Sequence, residues 1–496
     1  MLDRLKCVLL ISVVNIALSS FSSGQTSLKP DLTLTGTVTR ADFTTYRELP
    51  FTVPSGVTRI SVDLSYTERD KHTNIDLGIF DGERFRGWSG GNKSYFTISG
   101  TDATPSYLAG PIRAGTWTLI LGIPRIREGV TSHYEAKIYF EHEAATSTVS
   151  TFSREAIRSG PAWYRGDLHM HDAHSDGSCP SQSGVKVPCP LYKTVEAAAV
   201  RHLDFIAISD HNTTSHFDAM RELQPYFDQL LLIPAREITT FQGHANVFGT
   251  TQFIDFRLTS PHVPNFNTIL DRVQQLHAIL SINHPGLPSG EQCMGCGWTV
   301  PNVDYSRVTA IEVINGATTK PPYYGIDFWQ DKLNKGFRIT GIAGSDNHNA
   351  TIPDHDGSAI GTPTAVIYAD NLSEAKLLDG IRSGHVFVDT QGTHEHAIEF
   401  TADTGQQHAI MGDNLQVSSA QKIHFTLTAT ALQNAHPELI MDGARSPLLN
   451  IAPLTEQHET RSFDLQSDGK RHWLRIDLRS ADGQLLIVGN PIYLNF

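Results

Sequence analysis

The first pattern along the chain is a series of short runs in which β-branched and aromatic residues alternate with polar ones. These runs occupy residues 51–54, 59–66, 75–80, 116–122 and 134–140, and turns rich in Gly, Pro and Asn separate them. Short strands at such spacing are typical of an antiparallel β-sandwich. We therefore predict an N-terminal β-sandwich over residues 30–145, followed by a polar linker.

Between about Trp163 and Thr390 the pattern changes to short apolar runs that alternate with stretches of helical periodicity. The apolar runs predict buried parallel strands at residues 204–209, 230–234, 278–282, 310–314 and 338–343. The helical stretches lie at residues 194–201, 217–230, 267–276, 325–335 and 373–383. Repeated alternation of strand and helix predicts an α/β domain of barrel type over residues 160–392.

After about Thr393 the strand pattern returns, at residues 423–430, 439–441, 473–478 and 485–493. We predict a C-terminal β-sandwich over residues 393–496. A chain of 496 residues is long enough for three units, because domains usually contain about 100 to 200 residues. Its 40% hydrophobic and 18% charged residues are typical of a folded protein and exclude a largely disordered one.

The first 24 residues have the pattern of an export signal. Residues 1–6 contain Arg4 and Lys6, residues 7–18 form an apolar run, and small or polar residues continue to Gly24. This order is typical of a secretory signal peptide with cleavage near Gly24. The run is shorter than the roughly 20 residues that span a bilayer, so no stable membrane span is expected. The predicted location is secreted or periplasmic.

Removal of residues 1–24 would leave an even number of cysteines, namely Cys179, Cys189, Cys293 and Cys296. In an oxidising compartment an even number predicts two disulfides. Chain proximity favours Cys179 with Cys189 and Cys293 with Cys296, although four cysteines allow three pairings. A zinc site with four cysteine ligands is the alternative, because Cys293 and Cys296 have the spacing of zinc ligands.

The formal net charge of −13 bears on the partner. Duplex binding depends on clustered Lys and Arg that displace counterions, so a long nucleic acid is excluded as a partner. A small anionic substrate remains compatible with this charge, because bound divalent cations can invert the local field.

The central part of the chain places His, Asp and Glu residues directly after the predicted strands. His169 and His171 are two residues apart, so in extended backbone their side chains share one face. The other residues of this kind are Asp176, Asp210, His211, Glu237, His244, His284, Asp346 and His348. The ends of barrel strands face the site in such folds. One histidine alone would be weak evidence, but this set together predicts a metal site.

These residues resemble the four motifs of the PHP superfamily of metallohydrolases, which is named for polymerase and histidinol phosphatase, and most closely its CehA/McbA type. The matching segments cover roughly residues 165–389. They are Asp167-Leu-His-Met-His with Ser175-Asp-Gly, Ser209-Asp-His, Asn283-His-Pro and Gly344-Ser-Asp-Asn-His. The resemblance implies a distorted (β/α)7 barrel of TIM-like architecture, flanked here by the two β-sandwiches.

The resemblance also implies the ligands of two or three divalent ions. A first ion would be held by His169, His171, Glu237 and Asp346. Glu237 would bridge to a second ion held by His244 and His284. A third ion would be held by Asp176, His211 and His348. Mixed imidazole and carboxylate ligands suit Zn, Mn or Fe.

Further residues of the motifs are expected to assist the metal ligands. Asp167 and Asp210 are expected to orient the neighbouring histidines. Asp210 and His348 are the predicted catalytic residues, with His348 as a proton donor if it is not a ligand. His174 is a further candidate ligand or substrate contact. Candidate anion contacts are Arg236, Lys320, His355 and His385.

The predicted function is that of a secreted, metal-dependent hydrolase of a small, anionic ester. The resemblance favours a phosphoesterase in which a hydroxide shared by the ions attacks phosphorus in line. Hydrolysis of carbamate or carboxylic esters or amides on the same site is an alternative, because the namesakes of the CehA/McbA type are linked to aryl carbamates. A second alternative is a surface-binding protein that the metals only stiffen. The sequence leaves the oligomeric state open.

Overall fold

In a computed structural model of the chain, the described residues are 29–142, 152–153, 155–290, 293–353, 358–449 and 452–496. The predicted signal peptide, most of the predicted linker and His355 lie outside these residues. The N-terminal region consists of strands and two short 3-10 helices, Arg40–Asp42 and Gly90–Asn92. Its strands are β1 (Leu32–Thr39), β2 (Tyr46–Val53), β3 (Val57–Tyr66), β4 (Asn74–Phe80), β5 (Phe85–Trp88), β6 (Tyr95–Ser99), β7 (Gly115–Arg125) and β8 (Thr131–His142).

Two four-stranded antiparallel sheets make up this region, in the orders β1-β8-β3-β6 and β2-β7-β4-β5. Alternate side chains of their strands face a shared apolar core, in which Trp117 and Phe96 are fully buried. Such alternation is what packs two sheets face to face.

The central region alternates strands and helices. A short 3-10 helix covers Tyr305–Arg307. The elements are β9 (Arg158–Asp167), β10 (Ser178–Pro180), β11 (Lys186–Pro188), α1 (Leu191–Val200), β12 (Phe205–Ile208), α2 (His216–Leu223), β13 (Leu231–Thr239), β14 (His244–Phe248), α3 (Phe266–Gln275), β15 (Ile279–Ile282), β16 (Ala310–Asn315), α4 (Ile326–Asn334), β17 (Thr340–Gly344), β18 (Thr364–Leu372), α5 (Glu374–Ser383) and β19 (Val386–Asp389).

Local sequence explains several of these bounds. In α3 the buried residues Phe266, Ile269, Leu270 and Val273 recur at the spacing that forms one helix face. The helix predicted at 217–230 ends at Leu223, shortly before Pro225, which has no N–H to donate the next helical hydrogen bond. Within the described ranges, no helix is long and apolar enough to cross a membrane.

In the described part of the C-terminal region, 393–449 and 452–496, the regular elements are all strands. They are β20 (Ala397–Asp403), β21 (His408–Ile410), β22 (Asn414–Leu415), β23 (Lys422–Thr430), β24 (His436–Met441), β25 (Ala444–Ser446), β26 (His458–Gln466), β27 (His472–Arg479), β28 (Leu485–Gly489) and β29 (Ile492–Leu494). Strands β21-β20-β23-β26 form a separate four-stranded sheet. The others extend the sheet of the central region, because β28 pairs with β19.

The resulting sheet has 15 strands, and its path through the central region runs β17-β16-β15-β14-β13-β12-β9-β18-β19. Strands β9, β12 and β13 are parallel neighbours, as are β15, β16 and β17. Strand β14 runs antiparallel between the two groups, and β18 and β19 are also antiparallel to their neighbours. The mixed α/β character follows the prediction, but the strand order is not that of a regular barrel.

The strand pairing does not close this sheet into the predicted (β/α)7 barrel. Strands β17 and β19 lie side by side, and no ladder between them is formed among the described strands. The buried side chain of Asn490 occupies the gap instead. Its amide exchanges two 2.8 Å hydrogen bonds with the backbone of Gly341 in β17 and donates a third, also 2.8 Å, to Val386 O in β19. A residue from the C-terminal region therefore joins β17 to β19.

The segments that follow β9 and β17 are nevertheless brought together. Asp346 N donates to His169 O over 2.8 Å, and His171 N donates to Asn347 O over 2.8 Å. Met170 and Asn347 form a parallel bridge. Two segments far apart in sequence thus run side by side where the predicted metal ligands begin.

Candidate metal centre

The predicted ligands all lie at one edge of the sheet, where β9, β12, β13, β15 and β17 end and β14 begins. Most of these strand ends carry one or two of the predicted ligands. They are His169 and His171 after β9, His211 after β12, Glu237 near the end of β13, His244 at the start of β14, His284 after β15, and Asp346 and His348 after β17. Asp176 follows in the loop after β9, so the structure brings the whole predicted set to one place.

A first cluster consists of His169, His171, Glu237 and Asp346. His169 Nε2 lies 3.3 Å from Asp346 Oδ1 and 3.5 Å from Glu237 Oε2. His171 Nε2 lies 3.0 Å and 3.6 Å from the same two oxygens. Ligands about 2.1 Å from a tetrahedral ion are separated by about 3.4 Å, so the spacing suits a cation at the centre.

A second cluster shares Glu237 with the first. Oε1 of this carboxylate lies 3.3 Å from His244 Nδ1 and 3.4 Å from His284 Nε2. Oε2 faces the first cluster, so the two oxygens of one buried carboxylate are divided between two groups of histidines. This is the arrangement of a carboxylate that bridges two ions.

A third cluster, at the surface, consists of His171, Asp176, His211 and His348. Asp176 Oδ1 lies 3.2 Å from His348 Nε2 and 3.7 Å from His211 Nε2. The side chains of Asp176 and His348 are 60% and 38% exposed, whereas those of the first two clusters, except Asp346, are buried. The third cluster therefore forms the open mouth of the site.

The donor atoms fit divalent cations. His169 Nε2 and Glu237 Oε2 are buried, and neither makes a hydrogen bond of good geometry among the described residues, although His211 Nδ1 lies 2.8 Å from Glu237 Oε2. An unpartnered buried polar atom costs free energy, and a metal bond to both atoms would remove that cost. The mixture of imidazole nitrogens and carboxylate oxygens is one that Zn, Mn and Fe accept.

Electrostatics keep the two shared carboxylates ionised. Burial would raise the pKa of Glu237, but the charges of His169 and His211 outweigh it and hold that pKa well below its ordinary value. Burial would likewise raise the pKa of Asp346, but the charge of His169 and the hydrogen bond from His171 outweigh burial and hold that pKa well below its ordinary value. Both groups are thus ready to bind a cation at neutral pH.

The mouth has its own charge pair. The hydrogen bond from His348 lowers the pKa of Asp176 to about 2. Burial would lower the pKa of His348, but Asp176 and Asp346 outweigh it and raise that pKa to about 9. Without an ion at this end, an imidazolium faces a carboxylate.

Glu312 is a member of the site that the sequence reading did not identify. It lies within β16, where its Oε1 is 3.1 Å from His169 Nδ1. Its Oε2 accepts hydrogen bonds from His284 N and Asn315 Nδ2, each over 3.0 Å. A carboxylate on one ring nitrogen directs the other nitrogen of a histidine to the metal. The only local signal was a glutamate inside an otherwise apolar strand.

The expected orienting contacts of Asp167 and Asp210 are not formed. Asp167 accepts hydrogen bonds from the backbone N–H groups of His169, Ser345 and Gly361 at 2.7–3.1 Å, so it fixes the backbone of two motifs and not a ring. Asp210 Oδ1 accepts from Asp172 N at 3.0 Å and from a serine hydroxyl. The structure places Asp210 beneath the loop after β9 and not against the ring of His211.

The ring of His211 instead contacts residues of β13. Its Nδ1 lies 2.5 Å from Thr239 Oγ1 and 2.8 Å from Glu237 Oε2. A further contact supports Glu237 from β15, since Asn283 Nδ2 donates to its Oε1 over 2.9 Å. Asn283 belongs to one of the sequence motifs, but its contact with Glu237 depends on the antiparallel β14 between their strands.

Backbone geometry at the ligands is strained. His284 and Asp346 have φ values of +29° and +52°, in a region that residues other than glycine rarely adopt. Such residues cost of order 1–3 kcal/mol each and cluster at functional sites. Gly344 leaves no room for a side chain, because a Cβ there would overlap Cβ of His169 and lie 2.9 Å from Glu312 Oε1.

The cysteines lie in the two pairs that chain proximity favours, Cys179 with Cys189 and Cys293 with Cys296. No grouping of all four occurs in the described part of the chain, so the alternative zinc site is not formed there. Cys296 Sγ lies near His244 and His284, but its bond to Cys293 occupies the sulfur.

The remaining candidate contacts lie outside the three clusters. Arg236 is buried, donates to Ile254 O over 3.1 Å and lies over the ring of Phe253. His385 precedes β19, at the end of that strand away from the site, and its Nε2 lies 3.0 Å from Asp413 Oδ1. His174 Nδ1 lies 2.8 Å from Ser215 Oγ, and Lys320 is exposed.

Comparison with known proteins gives no matching family model and no matching curated protein. Similar solved structures include a two-domain protein from Bacteroides vulgatus that contains a predicted PHP-like metal-dependent phosphoesterase. It is 17% identical, with a TM-score of 0.37, and the match covers 70% of this chain and 100% of the other. A proposed metal-dependent phosphoesterase from Bifidobacterium adolescentis is 16% identical, with a TM-score of 0.28 over 43% of this chain and 94% of its own. These likenesses are too distant to assign an activity, which rests on the side chains of the metal centre.

Proposed function

We propose that the protein is a metal-dependent hydrolase of phosphate esters that belongs to the PHP superfamily, in its CehA/McbA type. The observation that carries the proposal is the division of the Glu237 carboxylate, whose two oxygens each face a different group of histidines at 3.3–3.6 Å. A buried carboxylate shared in this way is the mark of a site for two ions. Phosphoester hydrolysis is the reaction that such pairs commonly serve.

When bound, Zn, Mn or Fe ions at the first two clusters would supply Lewis acidity, which activates a water nucleophile and offsets the charge that builds on phosphoryl oxygens. The residues of the chain do the rest. Glu312 holds Nδ1 of His169 so that Nε2 faces Glu237 and Asp346. Asn283 donates to Glu237 Oε1 and fixes the plane of the shared carboxylate. Burial of these groups excludes bulk water and strengthens every charge interaction in the site.

The exposed mouth gives the substrate its approach. Asp176, His211 and His348 surround it, and they would either hold a third ion or contact the ester directly. A His348→Asn variant separates these roles. Loss of one bound ion would identify His348 as a ligand. An unchanged ion content, with a rate that falls most for esters with poor leaving groups, would identify it as the proton donor.

The test of the function uses protein loaded with Mn or Zn and three substrates: p-nitrophenyl phosphate, a p-nitrophenyl phosphodiester and a p-nitrophenyl carbamate. Asp346→Asn is expected to abolish turnover, and the exposed Asp370→Asn is the matched control that keeps it. Phosphoester turnover that is lost only in Asp346→Asn supports the proposal. Turnover of the carbamate alone would replace it with carbonyl hydrolysis, and bound metal without any turnover would favour a surface-binding protein.

We further propose that the protein is exported to the periplasm or the medium. The signal-like pattern of residues 1–24 and the even set of cysteines beyond it support this. Expression of the full chain followed by mass measurement of the exported protein tests the proposal. A mass that corresponds to cleavage near Gly24 is expected, and retention of the full-length chain in the cytoplasm would refute it.

A further inference from the structure

The loop closed by the Cys293–Cys296 disulfide contacts both histidines of the second cluster. The carbonyl oxygen of Met294 lies 3.3 Å from His244 Nε2, and that of Cys296 lies 2.9 Å from His284 Nδ1. In each histidine the opposite ring nitrogen faces Glu237 Oε1. Two carbonyl groups of one short loop therefore determine which nitrogen each ligand presents to the second ion.

Among the described residues, three hydrogen bonds and the burial of Gly295 and Cys296 also hold this loop. Gly290 and Cys293 exchange two backbone hydrogen bonds of 3.1–3.2 Å, and Gly295 N donates to Ser289 Oγ over 2.8 Å. The side chain of Met294 is more than half exposed, so it contributes little packing. The cross-link between Cys293 and Cys296 is the covalent restraint on the two carbonyl groups.

The second disulfide belongs to a different cluster. Cys189 N donates to Gly177 O over 2.9 Å and Cys189 O accepts from Ala173 N over 2.8 Å, which encloses the loop that carries Asp176. Ser178 N donates to His348 O over 2.7 Å and joins this loop to the other side of the mouth. The Cys293–Cys296 disulfide thus lies against the second cluster, and the Cys179–Cys189 disulfide lies against the loop of the third.

We propose that the Cys293–Cys296 loop is the positioning element of the second metal ion, and that its disulfide sets the affinity of that ion. The inference rests on the proposed metal centre. It assigns to the cross-link a role in ion binding, beyond the stability that any disulfide adds to the chain.

The experiment uses the full chain loaded with Mn²⁺. In the wild type, two ions bridged by Glu237 are expected to give an exchange-coupled electron paramagnetic resonance spectrum. Cys293→Ser with Cys296→Ser is expected to weaken one ion by about 10- to 100-fold, the range seen when such supporting partners are lost. The coupled spectrum would then give way to that of an isolated ion, as in His244→Ala. Cys179→Ser with Cys189→Ser, the matched control, is expected to keep the coupled spectrum.

A second variant perturbs the loop without removing the disulfide. Gly295 has φ +85°, and a Cβ there would overlap the carbonyl oxygen of Thr240, so Gly295→Ala displaces the loop. It is expected to weaken the same ion, with an unchanged circular dichroism spectrum as evidence of folding. Wild-type affinity in both folded variants would overturn the inference while leaving the metal centre intact. A wild-type protein that binds fewer than two ions would overturn the proposed function as well.

Discussion

Replacing Glu312 with Gln should disable one metal ligand that the substitution does not touch. In the structure, one oxygen of Glu312 faces His169 Nδ1 and the other accepts from His284 N and Asn315 Nδ2. A glutamine has one acceptor oxygen and one N–H₂ group. If the glutamine oxygen still accepts the hydrogen bonds from His284 N and Asn315 Nδ2, the amide hydrogens face His169 Nδ1.

The size of the effect follows from this geometry. Two donors cannot face each other, so His169 would move its proton to Nε2, the atom that lies 3.3 Å from Asp346 and 3.5 Å from Glu237. That nitrogen then has no lone pair for a metal. Loss of such a supporting partner weakens metal binding by about 10- to 100-fold, which corresponds to roughly 1.4–2.8 kcal/mol.

The assay is titration of metal-free protein with Zn²⁺ or Mn²⁺ by calorimetry, together with kcat for a phosphoester at saturating metal. The matched control is Glu374→Gln, the same substitution at another buried glutamate, in α5 and outside the three clusters. Metal affinity should fall in Glu312→Gln alone. Equal affinities in the wild type and both variants would refute the role assigned to Glu312.

Two further predictions concern stability. Burial raises the pKa of Glu374 well above its ordinary value, so this side chain is protonated in the folded protein. The stability of the folded state therefore falls as the pH rises above about 4.3, the ordinary pKa of a glutamate in the unfolded chain. Glu374→Gln should raise the melting temperature more at pH 8 than at pH 4, and a constant difference would contradict this. Asp102 of the N-terminal region accepts hydrogen bonds from Arg59, Arg221 and Thr251, and the last two belong to the central region. Asp102→Asn should destabilise the protein by about 3–5 kcal/mol because buried guanidinium groups lose their counterion, and an unchanged unfolding midpoint in urea would show that this network does not hold the two regions together.

Most of the candidate ligands could be identified from the sequence because they follow strand ends. The position of a histidine or carboxylate directly after an apolar run can be read from the sequence, because the run predicts where the strand ends. His211 after β12 and Asp346 after β17 are examples. The parallel order of strands then places these positions at one edge. Four of the five helices also lay close to their predicted bounds, whereas the helix predicted at 217–230 ends at Leu223.

The supporting contacts were not accessible in the same way. Glu312 reads as one polar residue in a buried strand, and nothing local shows that it faces His169, which is 143 residues away. The carboxylates beside the ligand histidines, Asp167 and Asp210, were expected to hold the rings but bind backbone and serine groups instead. A position beside a histidine in the sequence suggests a contact with it, but the loops that pack against each carboxylate decide which partner it meets.

The contacts of Asn490 attach the strands of the candidate metal centre to the C-terminal strands. If the chain ended at residue 392, β19 would lose its pairing with β28, and β17 and β19 would face each other without the amide that joins them. The exposed strand edge would then be open to pairing with other molecules. The segment that bears the candidate ligands therefore depends on the C-terminal strands. A transfer of this segment into a related protein would have to include those strands.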